Sequence, residues 1–307
     1  PTRRSSDLTS AITNRYNRTF IFDRAVYDEI HPLNPDCVFH LPLAGSVIKR
    51  TAVINSTPVT KRQKFSHDIV FVGSLYSEKN PLASASGLSE YTKGYIEGIM
   101  KAQESVYGYY FIEELLTDDI VAEVKNSVQG FPAPPEKSFL TDKRIVSQEY
   151  IGNAITALER DDTFRMLSEH FHTTIYTGSD TTGLPKLENR GLAKSQEEMP
   201  VIFHGSKINI NTTSKPIRTG LPLRIFDILS CGGFCISNYQ AEIPELFVPG
   251  EEIVMYESLD ELQELCAYYL DHESERRQIA EAGFEKLKKC YTYETVLQKL
   301  LYTAFSS

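Results

Sequence analysis

The chain has 307 residues, 41% of them hydrophobic, 24% charged and 11% aromatic, which is ample apolar material for one or two packed domains and excludes an intrinsically disordered chain. Thirty-two Lys and Arg stand against 41 Asp and Glu, a formal net charge of −9, and no segment gathers the basic residues into a phosphate-tracking stripe, so nucleic acid is not an expected partner. No apolar run reaches the roughly 18 to 20 residues that span a bilayer, and no charged, apolar and small-residue series at the start reads as a signal peptide, so the expected location is the cytoplasm.

The chain opens on Pro1, and residues 1–8 (Pro-Thr-Arg-Arg-Ser-Ser-Asp-Leu) read as translated cloning or adaptor sequence, a leader outside the fold of a fragment. Residues 9–45 read as the remnant of an N-terminal Rossmann-like domain. Within them residues 19–23 form a β-branched and aromatic run, a mixed segment ends at His31-Pro32, and residues 37–43 are apolar again, which predicts strand, helix, strand. From 46 to 67 Ser, Thr, Lys and Arg replace the apolar residues, as in a linker.

A second domain is expected over 68–291. Residues 68–73 (Asp-Ile-Val-Phe-Val-Gly) are a continuous apolar run of the kind buried on both faces of a parallel sheet. Residues 85–171 read as a helical insertion. Ser89 caps a helix with Tyr91, Tyr95, Ile99, Ala102 and Val106 on one face; Ile151, Ala154, Ile155 and Leu158 mark another, and Pro132, Pro134 and Pro135 break the stretch between. Strands at 174–177, 207–211, 234–237 and 253–256 then alternate with helices at 223–231, after the capping box Ser258-Leu-Asp-Glu, and at 273–289. A last helix over 292–305 carries Val296, Leu297, Leu300 and Leu301. The alternation predicts an α/β fold with a parallel, doubly wound sheet and helices on both faces.

The five cysteines are odd in number and scattered, which implies reduced thiols; Cys231 and Cys235 have apolar flanks and no partner cluster, so they read as core. His170, His172 and His204 form no ligand spacing, and no metal site is expected.

In open α/β sheets ligands bind beyond the carboxyl ends of the strands, which selects three loops. In the first, Gly73 lets backbone N–H groups approach a phosphate beside Ser74, and Lys79 supplies charge; an ordinary turn with a solvated lysine is the plainer alternative. The second holds Arg218, Thr219, Gly220 and Leu221 before Pro222 and a helix N-terminus, an anion site in which Arg218 or Arg224 neutralises phosphate and Asp227 accepts from ribose hydroxyls. The alternative there is a surface ion pair between Arg224 and Asp227. The third loop carries Asn238, Tyr239, Glu242 and Glu245, polar enough for a sugar or acceptor, or else a plain connection.

Across 218–256 the runs Gly-Leu-Pro-Leu-Arg-Ile-Phe-Asp-Ile-Leu-Ser-Cys-Gly-Gly-Phe and Ser-Asn-Tyr-Gln-Ala-Glu-Ile-Pro-Glu-Leu-Phe resemble the CgeB-type (spore maturation) glycosyltransferase-like proteins. Residues 71–81, Phe22-Asp-Arg and Leu41-Pro-Leu-Ala fit the same pattern. More distantly the chain is similar to retaining GT-B glycosyltransferases. The resemblance implies two Rossmann-like domains with the nucleotide-sugar donor on the C-terminal one, Gly73 and Lys79 at its phosphates, Asp227 at its ribose, and the last helix crossing back to the N-terminal domain. Two positions depart from the family: Ser74 stands where an arginine follows the glycine, and Thr219 where an acid precedes the ribose-binding one by eight residues.

The expected function is glycosyl transfer from a nucleotide sugar to an unknown glycan, protein or small-molecule acceptor, without a metal or other cofactor; no side chain reads as a general base. Ser74 and Thr219 favour a non-catalytic carbohydrate- or partner-binding module as the alternative. An epimerase lacks a paired acid and base, and a dehydrogenase lacks the G-x-G-x-x-G fingerprint. The fragment is expected to fold around its second half and bind a nucleotide sugar weakly.

Overall fold

The computed structural model describes residues 12–133 and 140–306; the expected leader, Pro134 and Pro135 lie outside the described residues. Six strands form one parallel sheet: β3 (Ile69–Val72), β4 (Thr173–Tyr176), β5 (Glu188–Asn189), β6 (Ile208–Asn211), β7 (Cys235–Asn238) and β8 (Val254–Tyr256), in the order β5-β4-β3-β6-β7-β8. Counted within the sheet this is the Rossmann order 3-2-1-4-5-6, whose direction reverses between β3 and β6. A separate parallel pair, β1 (Thr19–Ile21) and β2 (Val38–His40), is joined by the helix Arg24–Ile30.

Strand β3 shows why the sheet is sandwiched. Its side chains alternate, so Val70 and Val72 enter one core with Ile202, Phe203, Ile225 and Phe226, while Ile69 and Phe71 enter the other with Phe164, Leu167 and Leu262. All four are buried, as a central parallel strand requires. The short edge strand β5 carries no apolar run and escapes a reading by pattern.

The segment 46–67, polar in composition, forms two helices, Val47–Ser56 and Val59–Gln63. The insertion has its own core of Ile96, Ile99, Ile112, Val124, Ile151 and Ile155. Ser89 caps the helix Glu90–Glu104 as expected, accepting from the Thr92 N–H, but the buried face is Thr92, Ile96, Ile99, Met100 and Gln103, and Tyr91 is exposed. Two polar residues go inside because both are bonded: Thr92 Oγ1 donates to Glu123, and Gln103 bridges Val106, Tyr109 and Phe111. Likewise Leu158 is exposed on the helix Gly152–His170, and its neighbour Glu159 is buried. The helix expected over 223–231 ends at Leu229. The last helix, Tyr293–Ser306, leaves Leu297 and Leu301 exposed. The cysteines are free, Cys290 half-buried and the others buried.

His67 is buried with Nε2 3.0 Å from the Tyr176 hydroxyl. Burial, with Arg190 adding and Glu188 opposing, lowers its pKa from 6.5 to about 4. Between those values the unfolded chain holds a proton that the folded chain does not, so stability is full above about pH 6.5 and falls as pH drops toward 4. The melting temperature is expected to fall from pH 7.5 to pH 5, and to fall less in His67→Gln; equal falls in both would remove His67 as a cause.

Candidate functional site

The switch point between β3 and β6 is bounded by the loops that follow each strand. After β3, the Gly73 N–H donates to the Tyr176 carbonyl at 3.1 Å, and a Cβ at Gly73 would stand 2.8 Å from the Phe71 ring. The loop closes on itself. Ser74 Oγ donates to Glu78 Oε1 at 2.6 Å and accepts from the Tyr76 N–H, while Ser179 Oγ donates to Glu78 Oε2 at 2.8 Å. These hydroxyls hold the Glu78 carboxyl below its ordinary range against the effect of burial. Tyr76 has φ 67°, and the exposed Lys79 lies with its ammonium 4.7 Å from the Tyr76 ring centroid.

Arg160, which no sequence pattern marked, spans the switch point. Its guanidinium donates to the Ser74 carbonyl after β3 and to the Thr212 carbonyl after β6, the latter at 2.6 Å, and lies 4.6 Å from the Tyr76 ring centroid. It therefore ties together the two loops that flank the crevice.

After β6, the backbone N–H groups of Arg218, Thr219 and Gly220 converge as an anion-binding nest. They are engaged from within the chain: Asp23 Oδ2 accepts from all three at 2.8, 3.2 and 3.3 Å, and Asp23 Oδ1 lies 3.1 Å from Thr219 Oγ1. A Cβ at Gly220 would stand 2.8 Å from the Asp23 Cα, so glycine permits this approach. The Arg218 side chain turns away to Glu29 at 2.7 Å, and Leu221 is buried in the core. The loop thus joins the sheet to the β1–β2 unit.

Asp227 and Arg224 lie on the helix Leu223–Leu229, capped by Pro222, whose missing N–H costs nothing there. Asp227 is 7% exposed; Oδ1 pairs with Arg50 and Oδ2 with Arg224 at 3.2 Å. Burial pushes its carboxyl up, while Arg50 and then Arg224 pull it down. This is a half-buried cluster of two cations and one anion, not the solvated pair of the plainer reading. Arg50 also lines a cavity of about 230 Å³ with Lys49, Ser46, Ser195, Gln196 and Tyr293. Neither Arg50 nor Lys49 was singled out, because they sit in the polar stretch read as a linker.

The third loop faces the β1–β2 unit. Glu242, 1% exposed, accepts from the Arg24 N–H at 2.7 Å and Thr219 Oγ1 at 2.8 Å and stands 3.0 Å from His40 Nε2; Glu245 pairs with Arg24 at 2.9 Å. Asn238 is buried, accepting from the Thr213 N–H, and Tyr239 packs on Gly108.

Residues 160–302 match the family described as glycosyl transferase-like. No curated protein sequence matches the chain. Among solved structures, HepE from Anabaena, crystallised with UDP and glucose, is similar with 10% identity and TM-score 0.52 over 99% of this chain and 68% of that one. A glycosyltransferase from Rickettsia africae has 10% identity and TM-score 0.50 over 100% and 67%. Sucrose-phosphate synthase from Thermosynechococcus elongatus has 10% identity and TM-score 0.50 over 99% and 63%. Among the described residues no helix is long and apolar enough to cross a membrane. The chain is a mixed α/β protein whose parallel sheet, flanked by helices, is of the kind found in GT-B glycosyltransferases, and its second half carries the glycosyl transferase-like pattern.

Proposed function

We propose that the chain is the donor-binding part of a nucleotide-sugar-dependent glycosyltransferase of the CgeB type, acting in the cytoplasm with retention at the transferred sugar. The observation that carries this reading is the Asp227 carboxylate between Arg50 and Arg224 on the helix that follows β6, beside a cavity lined by Lys49 and Arg50. Each Asp227 oxygen keeps a lone pair beyond its arginine, so the pair of ribose hydroxyls has two acceptors. The fixed charges of Arg50, Arg224 and Lys49 suit a diphosphate and stabilise the charge that grows on it as the sugar departs. In this reading residues 68–291 are the donor domain with the insertion at 85–171, residues 9–45 belong to an acceptor-side Rossmann-like unit, 46–67 are the connection, and the helix Tyr293–Ser306 crosses back to the acceptor-side unit.

HepE was crystallised with UDP and with UDP-glucose, which makes these the first probes. Calorimetric titration is expected to show both binding, and Asp227→Asn to weaken binding about tenfold or more, since a hydrogen bond to a charged group contributes roughly 1.5 to 3 kcal/mol. No binding by the native chain, or equal binding by Asp227→Asn, would sink the reading. The Asp23 carboxylate in the nest, with Ser74 and Thr219, favours instead a binding module without turnover. The two part on whether bound UDP-glucose is ever cleaved.

A further inference from the structure

Arg160 is a buried cation with no carboxylate partner. It stands on the helix Gly152–His170, 7% exposed, and among the described residues no Asp or Glu oxygen comes within ion-pair distance of its guanidinium. Its two hydrogen-bond partners are the neutral carbonyls of Ser74 and Thr212. Glu159, beside it in the chain, faces Lys215 Nζ at 3.5 Å instead. A guanidinium withdrawn from water without a counter-charge costs free energy that an anion brought near it returns.

The place of this charge points to the anion. Ser74 follows β3 and Thr212 follows β6, so both carbonyls stand at the carboxyl edge of the sheet where its order reverses, the edge at which this topology holds phosphates. A carbonyl oxygen left bare there presents its negative end to a phosphate; Arg160 covers both. The loop after β3 adds no net charge of its own, because the Glu78 carboxylate offsets its neighbour Lys79. The cation beneath the crevice therefore comes from the helix Gly152–His170.

Other cations gather around it. Arg160 and Lys79 both meet the Tyr76 ring, 4.6 and 4.7 Å from its centroid. Arg224 is close enough to act on Arg160: burial lowers the Arg160 pKa and the charge of Arg224 lowers it further, against Tyr76, Glu159 and Tyr256. Cations drawn from three segments around one crevice repel one another, and an anion carrying more than one negative charge relieves that repulsion.

We propose that Arg160 is a positioning residue for the diphosphate of the donor. By holding the Ser74 and Thr212 carbonyls it clears the crevice of negative dipoles and sets a fixed charge beneath it, so that two phosphates are preferred over one. This role rests on the nucleotide-sugar reading and deepens it.

The test is calorimetric titration of the native chain, Arg160→Gln and Arg160→Lys with UDP and with UMP, the fold of each followed by far-UV circular dichroism. Arg160→Gln keeps an amide donor and loses the charge. It is expected to weaken UDP about tenfold or more and UMP less than about threefold, because the attraction of a fixed charge grows with the charge it faces. Arg160→Lys keeps a point charge in place of the fork and is expected to hold UDP within about threefold of the native chain. A merely structural arginine would move both nucleotides alike, so equal losses of UDP and UMP in Arg160→Gln, or no loss, would overturn the assignment. Should the glutamine variant not fold, a folded Arg160→Lys that loses UDP about as far as the tenfold expected of a neutral residue overturns it as well. No UDP binding by the native chain would instead remove the nucleotide-sugar reading, and this role with it.

Discussion

Asp23→Ala is expected to lower the free energy of unfolding by about 3 kcal/mol, measured by urea denaturation. The carboxylate caps the helix Arg24–Ile30 through the Val26 N–H and serves the three N–H groups of the 218–220 loop, all with Asp23 only 3% exposed. Losing an N-cap costs about 1 kcal/mol, and each buried donor left unpaired costs roughly 1 to 3 kcal/mol, reduced here as water enters the gap. Asp23→Asn keeps one oxygen for the nest and should lose about half as much. The local readout is hydrogen exchange: the amides of Arg218, Thr219 and Gly220 should exchange faster in Asp23→Ala. Stability within about 0.5 kcal/mol of the native chain, the range of surface substitutions, would mean that the contact contributes little.

Phe226→Ala should cost about 4 kcal/mol, within the range measured for removing a core phenylalanine. Phe226 is fully buried, with Phe247 and Tyr291 meeting it edge-on at centroid distances of 6.2 and 6.1 Å. These two rings close the short helix Ile243–Leu246 and the helix Glu273–Cys290, so the cavity would open where three segments meet. Leu223→Ala on the same short helix, 43% exposed, is the control and should change stability by under about 0.5 kcal/mol. Because Asp227 follows Phe226, UDP affinity should weaken with Phe226→Ala and hold with Leu223→Ala. A loss under about 1.5 kcal/mol would show that the site collapses around the vacancy.

Five of the six sheet strands were legible as short runs of apolar and β-branched residues, continuous in β3 and alternating in β6, whereas β5, Glu188-Asn189, carries no such run. The capping signals at Ser89 and Ser258 worked for the same local reason: each serine accepts from an N–H three residues on. What pattern could not give was the identity of buried polar residues. Glu159, Arg160, Thr92 and Gln103 sit inside helices whose polar letters suggest solvent; the first three are buried because partners far along the chain bond them, and Gln103 because it bonds the backbone of the loop that follows its own helix. Asp23 meets Arg218 across 195 positions, and Arg50 meets Asp227 across 177. No periodicity within either segment encodes such a meeting. For the candidate site, Asp227 and Arg224 could be named from the Gly-Pro-Arg-Asp spacing, whereas Arg50, which completes their charge, could not.

The Asp23 contact also sets a scale of concentration. A carboxylate delivered by the chain itself faces its partner at an effective concentration on the order of millimolar or above. A phosphate or carboxylate free in solution at micromolar levels is outnumbered at the 218–220 nest by a rival that never diffuses away. The nest is thereby buffered against the ionic content of its surroundings and stays a joint between two parts of the chain.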